Sequence, residues 1–390
     1  MTAALALVAA APALPDTSLA ASATRAGPLL TAARSATAAA GVALPTATPG
    51  AVPAAASGAL RTAALVPTPA APPATSGAFA EHAPLASRSL LLDVTFAGQR
   101  LVAVGERGHV LLSDDHGQTW GQAESVPTRA LLTGVCFSNP MQGVAVGHDE
   151  VILTTRDGGR TWALAHFAPE SQQPLLDVTC GADGRVIAVG AYGVYFSSRD
   201  GGASWGERKL AAMAGKVAAA DDTGRDFHLN KIAAASPDTL YIAAEGGHLY
   251  RTDDGGENWH ELPSPYDGSF FGVRPLAGNI VLAYGLRGNL FRSEDAGATW
   301  RKVETGTHAM LNDAVSLGTG GAVAVVGLSG VMLVSRDGGK SFALMQQEDR
   351  KGLSAAMAVG GDMLVAVGEG GGRRINIAPF AATASGAVGR

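Results

Sequence analysis

The sequence predicts an all-β chain folded as a seven-bladed β-propeller. Three observations carry that prediction. An Asp-centred turn recurs six times, a glycine turn recurs seven times, and an apolar segment stands before each glycine turn. The repeat length, about 42 residues, is that of one four-stranded blade. Composition agrees. The 390 residues include 51 glycines, with 16 % charged and 6 % aromatic residues, as expected of many short strands joined by tight turns. A net charge of −5 and a pI near 6.0 predict no basic surface for nucleic acid.

From the N-terminus, residues 1–76 contain no Phe, Trp or Tyr, one acidic residue (Asp16) and ten of the twenty prolines. Such a segment cannot bury enough apolar surface to offset its ordering entropy, so it is expected to be a disordered Ala/Pro-rich leader. Its start, "MTAALALVAAAPALPDTSLAASA", has the apolar run and small residues of a secretory signal peptide but lacks a basic beginning. Arg25, Arg34 and Arg61 among small residues also suit an organelle transit segment. The expected location is periplasmic or otherwise extracytoplasmic, an organelle lumen in a eukaryote. No apolar run reaches ~20 residues without proline, so no membrane span is expected. The propeller is placed at 77–380 and a flexible tail at 381–390.

Within the propeller the Asp turns read "SDDHGQTW", "TRDGGRTW", "SRDGGASW", "TDDGGENW", "SEDAGATW" and "SRDGGKSF". They share Asp115, Asp157, Asp200, Asp254, Asp295 and Asp337, separated by 42, 43, 54, 41 and 42 residues. An Asp in a tight turn accepts nearby backbone N–H groups, and the glycines after it supply positive φ. The Ser or Thr two places earlier can bond across the turn, and the Trp opens an outer strand and packs between blades. These aspartates are read as structural. A calcium loop needs six or more oxygens and a closing acidic residue, which these turns lack. No metal or other cofactor is expected.

The glycine turns run from "AVGERGHVLLS" to "AVGEGGGRRIN" at 366–376, the last with no Asp turn after it. The apolar segments before them are "LLDVTF", "LTGVCF", "LLDVTC", "LNKIAA", "FFGVRP", "LNDAVS" and "LSAAMA". Each full repeat is therefore strand, strand, glycine turn, strand, Asp turn, strand. Seven starts and six endings leave the last blade without an outer strand. Residues 78–96, "AFAEHAPLASRSLLLDVTF", parallel "ALAHFAPESQQPLLDVTC" at 163–180. An N-terminal strand over 78–85 is thus expected to close the last blade, which removes an open edge.

The S-x-D-x-G-x-T-W turns are similar to the Asp-box (BNR) repeats of sialidase-like propellers. The longer pattern, AVG-x-x-G followed by S-x-D-G-G-x-T-W, resembles the photosystem II stability/assembly factor family in its bacterial form, over about 77–377. That resemblance implies a non-enzymatic scaffold that binds a membrane-associated protein partner during assembly of a membrane or envelope complex. The alternative is a sialidase-like glycoside hydrolase or a glycan-binding propeller. Sialidases imply an arginine triad and a Tyr nucleophile beside an acidic residue. The "R-I-P" motif of the first arginine is absent here; "VRP" at 273–275 is the nearest and lies in the fifth blade. Tyr195, Tyr241 and Tyr250 fall in predicted strands, where packing is their expected role. No catalytic residue is assigned.

Strand order sorts the loops onto two faces. Asp turns share one; glycine turns and blade-to-blade connections share the other, where propellers most often bind partners. That second face is expected to carry Arg107, Arg129, His148, Asp149, Tyr192, Glu245, Tyr266, Arg287, His308 and Arg350. The 54-residue spacing adds an insertion within 206–228, whose Arg225 is expected to overhang the channel mouth. "GHDE" at 147–150 is read as an exposed polar turn. Cys136 and Cys180 sit one position apart in aligned inner strands. That offset turns them to opposite sides of their strands, so free buried thiols are expected.

Overall fold

The computed structural model describes residues 78–210, 227–318 and 320–380. The leader, the tail and Arg225 lie outside them. The described chain forms seven antiparallel sheets, each built from one consecutive stretch: 91–122, 132–166, 175–209, 229–261, 270–303, 311–346 and 353–376. We call them blades 1 to 7. Six have four strands, and blade 7 has three.

Each sheet packs against two neighbours, so its middle strands must be apolar on both faces. The second strands read RLVAVG, GVAVG, VIAVG, LYIAA, VLAYG, VAVVG and MLVAVG, and they are buried almost throughout. Seven apolar clusters fill the seven interfaces. That between blades 1 and 2 joins Val104, Val135, Leu153 and Trp162. Each fully buried Val or Leu contributes roughly 1.5–3 kcal/mol by leaving water.

The Asp turns behave as expected. In the first, Ser113 Oγ donates to Asp115 Oδ1 at 2.8 Å, and Gly117 N donates back to that hydroxyl at 2.8 Å. Thr119 N and Oγ1 donate to Asp115 at 2.9 and 2.6 Å. The same arrangement recurs at Asp157, Asp200, Asp254, Asp295 and Asp337. The turns also reach the preceding blade: Arg100 and Arg292 donate to the carbonyls of Gly158 and Gly338, and Tyr195 Oη to that of Gly256.

Two expectations are corrected. Residues 78–85 form no strand, and among the described residues the third strand of blade 7 (Gly371–Asn376) pairs only with Met363–Gly368. The N-terminal segment is instead held along blade 1. Ala80 N donates to Val126 O at 2.9 Å, Ala83 N to Gln122 Oε1 at 3.0 Å, and Gln122 Nε2 to Glu81 O at 2.8 Å. Closure comes one turn later, at the 3-10 turn Ala86–Arg88. The Ser87 carbonyl lies where a β-carbon on Gly371 (φ 78°) would collide with it. The Thr128, Tyr266 and Thr307 carbonyls stand likewise over Gly108, Gly247 and Gly288. Residues 86–90 thus act as the missing connection rather than as a strand. The third strand itself explains the difference. At the register of Arg373 the other six blades carry Leu111, Leu153, Phe196, Tyr250, Phe291 and Leu333, all apolar or aromatic.

The second correction is a disulfide. Cys136 and Cys180 are joined, with an S–S distance of 2.04 Å and Cα atoms 5.6 Å apart. Their opposite facing is what brings them together. Adjacent blades pack face to face, so side chains pointing opposite ways from neighbouring inner strands meet in the shared interface between blades 2 and 3.

Candidate functional site

The glycine-turn face is built from six three-residue 3-10 turns, Glu106–Gly108, His148–Glu150, Ala191–Gly193, Glu245–Gly247, Leu286–Gly288 and Leu328–Gly330. The middle residue of each is left-handed: Arg107 (φ 58°), Asp149 (59°), Tyr192 (53°), Gly246 (64°), Arg287 (57°) and Ser329 (56°). Only blade 4 uses glycine there. The left-handed bend turns each tip residue outward, and Arg107, Tyr192 and Arg287 are exposed. Neither arginine has an ion-pair partner among the described residues. His308 and Arg350 add exposed side chains from the connections.

Other expected site residues serve the fold. Arg129 pairs with Glu81 at 2.7 Å and donates to Phe79 O at 2.9 Å, which fixes the N-terminal segment. Glu245 accepts the His228 backbone N–H at 3.2 Å, as Glu106 accepts that of Leu90 and Glu369 that of Gly352. Tyr266 packs on Phe270 and Phe291. His148 is half-buried, and burial lowers its pKa. The expected exposed turn at 147–150 is only partly so. Glu150 is buried and left-handed (φ 51°), and its Oε2 lies 3.2 Å from His166 Nε2.

The axis holds a group that the motif reading missed. Every inner strand carries a bulge between its first and third residues. The third residues are Asp93, Gly134, Asp177, Lys231, Gly272, Asp313 and Ala355, one per blade. Three carboxylates and one ammonium therefore share the channel. Lys231 Nζ lies 3.5 Å from Asp177 and 3.9 Å from Asp313. Each carboxylate also accepts a backbone N–H from the next blade: Asp93 from Val135 at 2.9 Å, Asp177 from Ile232 at 2.8 Å and Asp313 from Ala356 at 3.1 Å. Burial, opposed by Lys231 and aided by the neighbouring aspartates, pushes Asp93 up to about 7. Burial alone would lower the Lys231 ammonium, but Asp177, Asp313 and Asp93 hold it well above its ordinary value. The signal was legible as a charged residue inside an otherwise apolar strand motif.

Four tyrosines are committed to packing rather than to chemistry. Tyr195, Tyr241, Tyr250 and Tyr284 are buried within the blades. Among the described residues no group of three His, Cys, Asp or Glu side chains could hold a metal ion, and no helix is long and apolar enough to cross a membrane.

Comparison with known proteins narrows the reading. Residues 168–325 match the family model described as "Photosynthesis system II assembly factor YCF48". A search of curated proteins finds no match. Among solved structures, "YCF48 bound to D1 peptide" is similar at 16 % identity and a TM-score of 0.59, covering 73 % of this chain and 92 % of that one. "YCF48 from Cyanidioschyzon merolae" is similar at 18 % identity and a TM-score of 0.59, covering 76 % and 97 %. The WD40 β-propeller domain of Doa1 is similar at 12 % identity and 0.58, covering 76 % and 94 %. Likeness at these identities shows the propeller fold, which WD40 domains share. The sequence match over 168–325 is what makes this propeller photosystem II assembly factor-like.

Proposed function

We propose that the chain is a non-enzymatic scaffold that holds a protein partner on its glycine-turn face while a membrane or envelope complex is assembled. The carrying observation is the ring of left-handed tips. Glycine adopts that backbone without penalty, whereas another residue costs about 1–2 kcal/mol. Five of the six tips nonetheless bear side chains, among them two exposed arginines and an exposed tyrosine. Strain retained at one face of a fold is a reason to seek its use there. The match over 168–325 and the likeness to a YCF48 structure with a bound peptide favour a peptide segment of the partner as the ligand. The Cys136–Cys180 disulfide favours an oxidising, extracytoplasmic compartment.

The test is a pull-down from native membranes read by mass spectrometry, comparing the wild-type chain with Arg107→Glu/Arg287→Glu. Both sites are exposed, so the melting temperature should not move. A partner recovered by the wild type and lost from the double variant is the expected result. Equal recovery by both would remove the glycine-turn face as the docking surface.

A further inference from the structure

Blade 7 ends one strand early, and the other six blades show what such an edge accepts. In blade 6 the fourth strand, Ala343–Gln346, pairs antiparallel with Val331–Val334. By register, the same positions in blade 7 are Gly371–Arg374. There the third strand bonds Met363–Gly368 on one side, and no described segment pairs with the other. The 3-10 turn Ala86–Arg88 covers the start of the edge, with Ser87 O over Gly371.

We propose that this edge, Gly372–Asn376, is a strand acceptor that binds an extended, carboxylate-bearing segment of a partner protein as the fourth strand of blade 7. Two kinds of observation converge on that occupant. The backbone supplies a row of groups that no described segment pairs, which another strand can satisfy by antiparallel addition. The side chains supply the sign of charge. Arg374 is exposed on this strand and Arg88 is exposed beside it, and neither has an ion-pair partner among the described residues. Arg373 next to them is already paired with Asp349 at 2.8 Å. An incoming strand with acidic residues at alternate positions would place a carboxylate beside Arg374 and project its other side chains to the opposite face. A lysine-bearing strand would meet like charge. This edge starts beside the seventh glycine turn, where Ser87 O stands over Gly371, and runs along the strand to Asn376.

The test uses the full chain and a capped eight-residue peptide alternating Glu and Val, with a Lys–Val counterpart as control. Binding is read by fluorescence anisotropy, and the site by amide hydrogen exchange over residues 372–376. The Glu peptide should bind, slow exchange at those amides and outcompete the Lys peptide. Arg374→Glu should weaken the Glu peptide by about tenfold and improve the Lys peptide, because charge complementarity is reversed. N-methylation of alternate peptide amides should abolish binding to the wild-type chain, a readout that does not depend on any variant folding. Several results would overturn the proposal. One is peptide binding that leaves 372–376 unprotected or is indifferent to N-methylation. Another is an edge already protected in the free chain that opens when 381–390 are removed. A third is a concentration-dependent dimer that Arg374→Glu dissolves.

Discussion

The rim and the axis of this propeller both carry aspartates at repeated positions, and the two sets behave in opposite ways. At the rim each carboxylate is surrounded by donors from its own turn. The Thr119 side chain and backbone, with Ser113, drive Asp115 far below the ordinary carboxylate range, and Thr299 with Ser293 brings Asp295 to about 2. At the axis the donors are fewer and the walls apolar, so burial dominates and Asp93 rises to about 7. The rim spends its aspartates within a blade; the axis spends them between blades, each bonding the amide of its neighbour. Local donors make a carboxylate cheap to keep charged, while a buried ring needs a counter-charge, here Lys231.

The sharpest way to break this contrast is to remove that counter-charge. Lys231→Met should lower unfolding stability by about 3–5 kcal/mol at pH 8, since it strands buried carboxylates, and by less at pH 5, where Asp93 is protonated. Urea titrations at the two pH values check it. Next comes the covalent link between blades 2 and 3. Cys136→Ser/Cys180→Ser opens a loop closed over 44 residues and should cost about 2–4 kcal/mol, seen as a lower melting temperature that reductant no longer changes.

The pH profile separates the two regions directly. Asp93 titrates higher folded than unfolded, so its stabilising contribution is present at low pH and is lost as pH climbs through about 7. The rim aspartates titrate lower folded, so theirs is present above the ordinary carboxylate range and is lost as pH falls toward 2. Melting temperature should therefore peak in mildly acidic solution, and Asp93→Asn should flatten the alkaline limb while leaving the acid limb unchanged. The smallest effect belongs to one rim turn: Asp157→Ala should cost about 1–2 kcal/mol through its lost hydrogen bonds. A fall as large as that of Lys231→Met would erase the distinction between rim and axis.

Much of the architecture was legible because the repeat is local. The Asp turns, glycine turns and apolar segments each report contacts within one blade, and their copies count the blades. What escaped the reading lies between blades. The disulfide depends on two sheets facing each other, a relation that strand alternation within one sheet does not contain. The closure depends on Arg373, whose polarity at a position apolar or aromatic in the other blades marks an outer strand, although the N-terminal segment copies the pattern of 163–180. At the candidate face, Arg107, Tyr192 and Arg287 were found by position in the turn. Arg129 and Glu245 share that face but are bound by neighbours distant in sequence. The charged axis was written in the inner-strand motifs, where Asp93, Asp177, Lys231 and Asp313 recur at one position.

Among the described residues no strand is exchanged between the first blade and the last, and every sheet is contiguous in the chain. Its strands pair with their neighbours in sequence, so each sheet is made of consecutive hairpins. A blade can be completed as it leaves a ribosome or a translocation channel, without waiting for a strand still to come. The interface between blades 1 and 7, with Ser87 over Gly371 at its edge, is what requires the whole molecule. The ring is sealed last, by docking rather than threading, and that order keeps the growing product from offering a long unpaired segment at both ends.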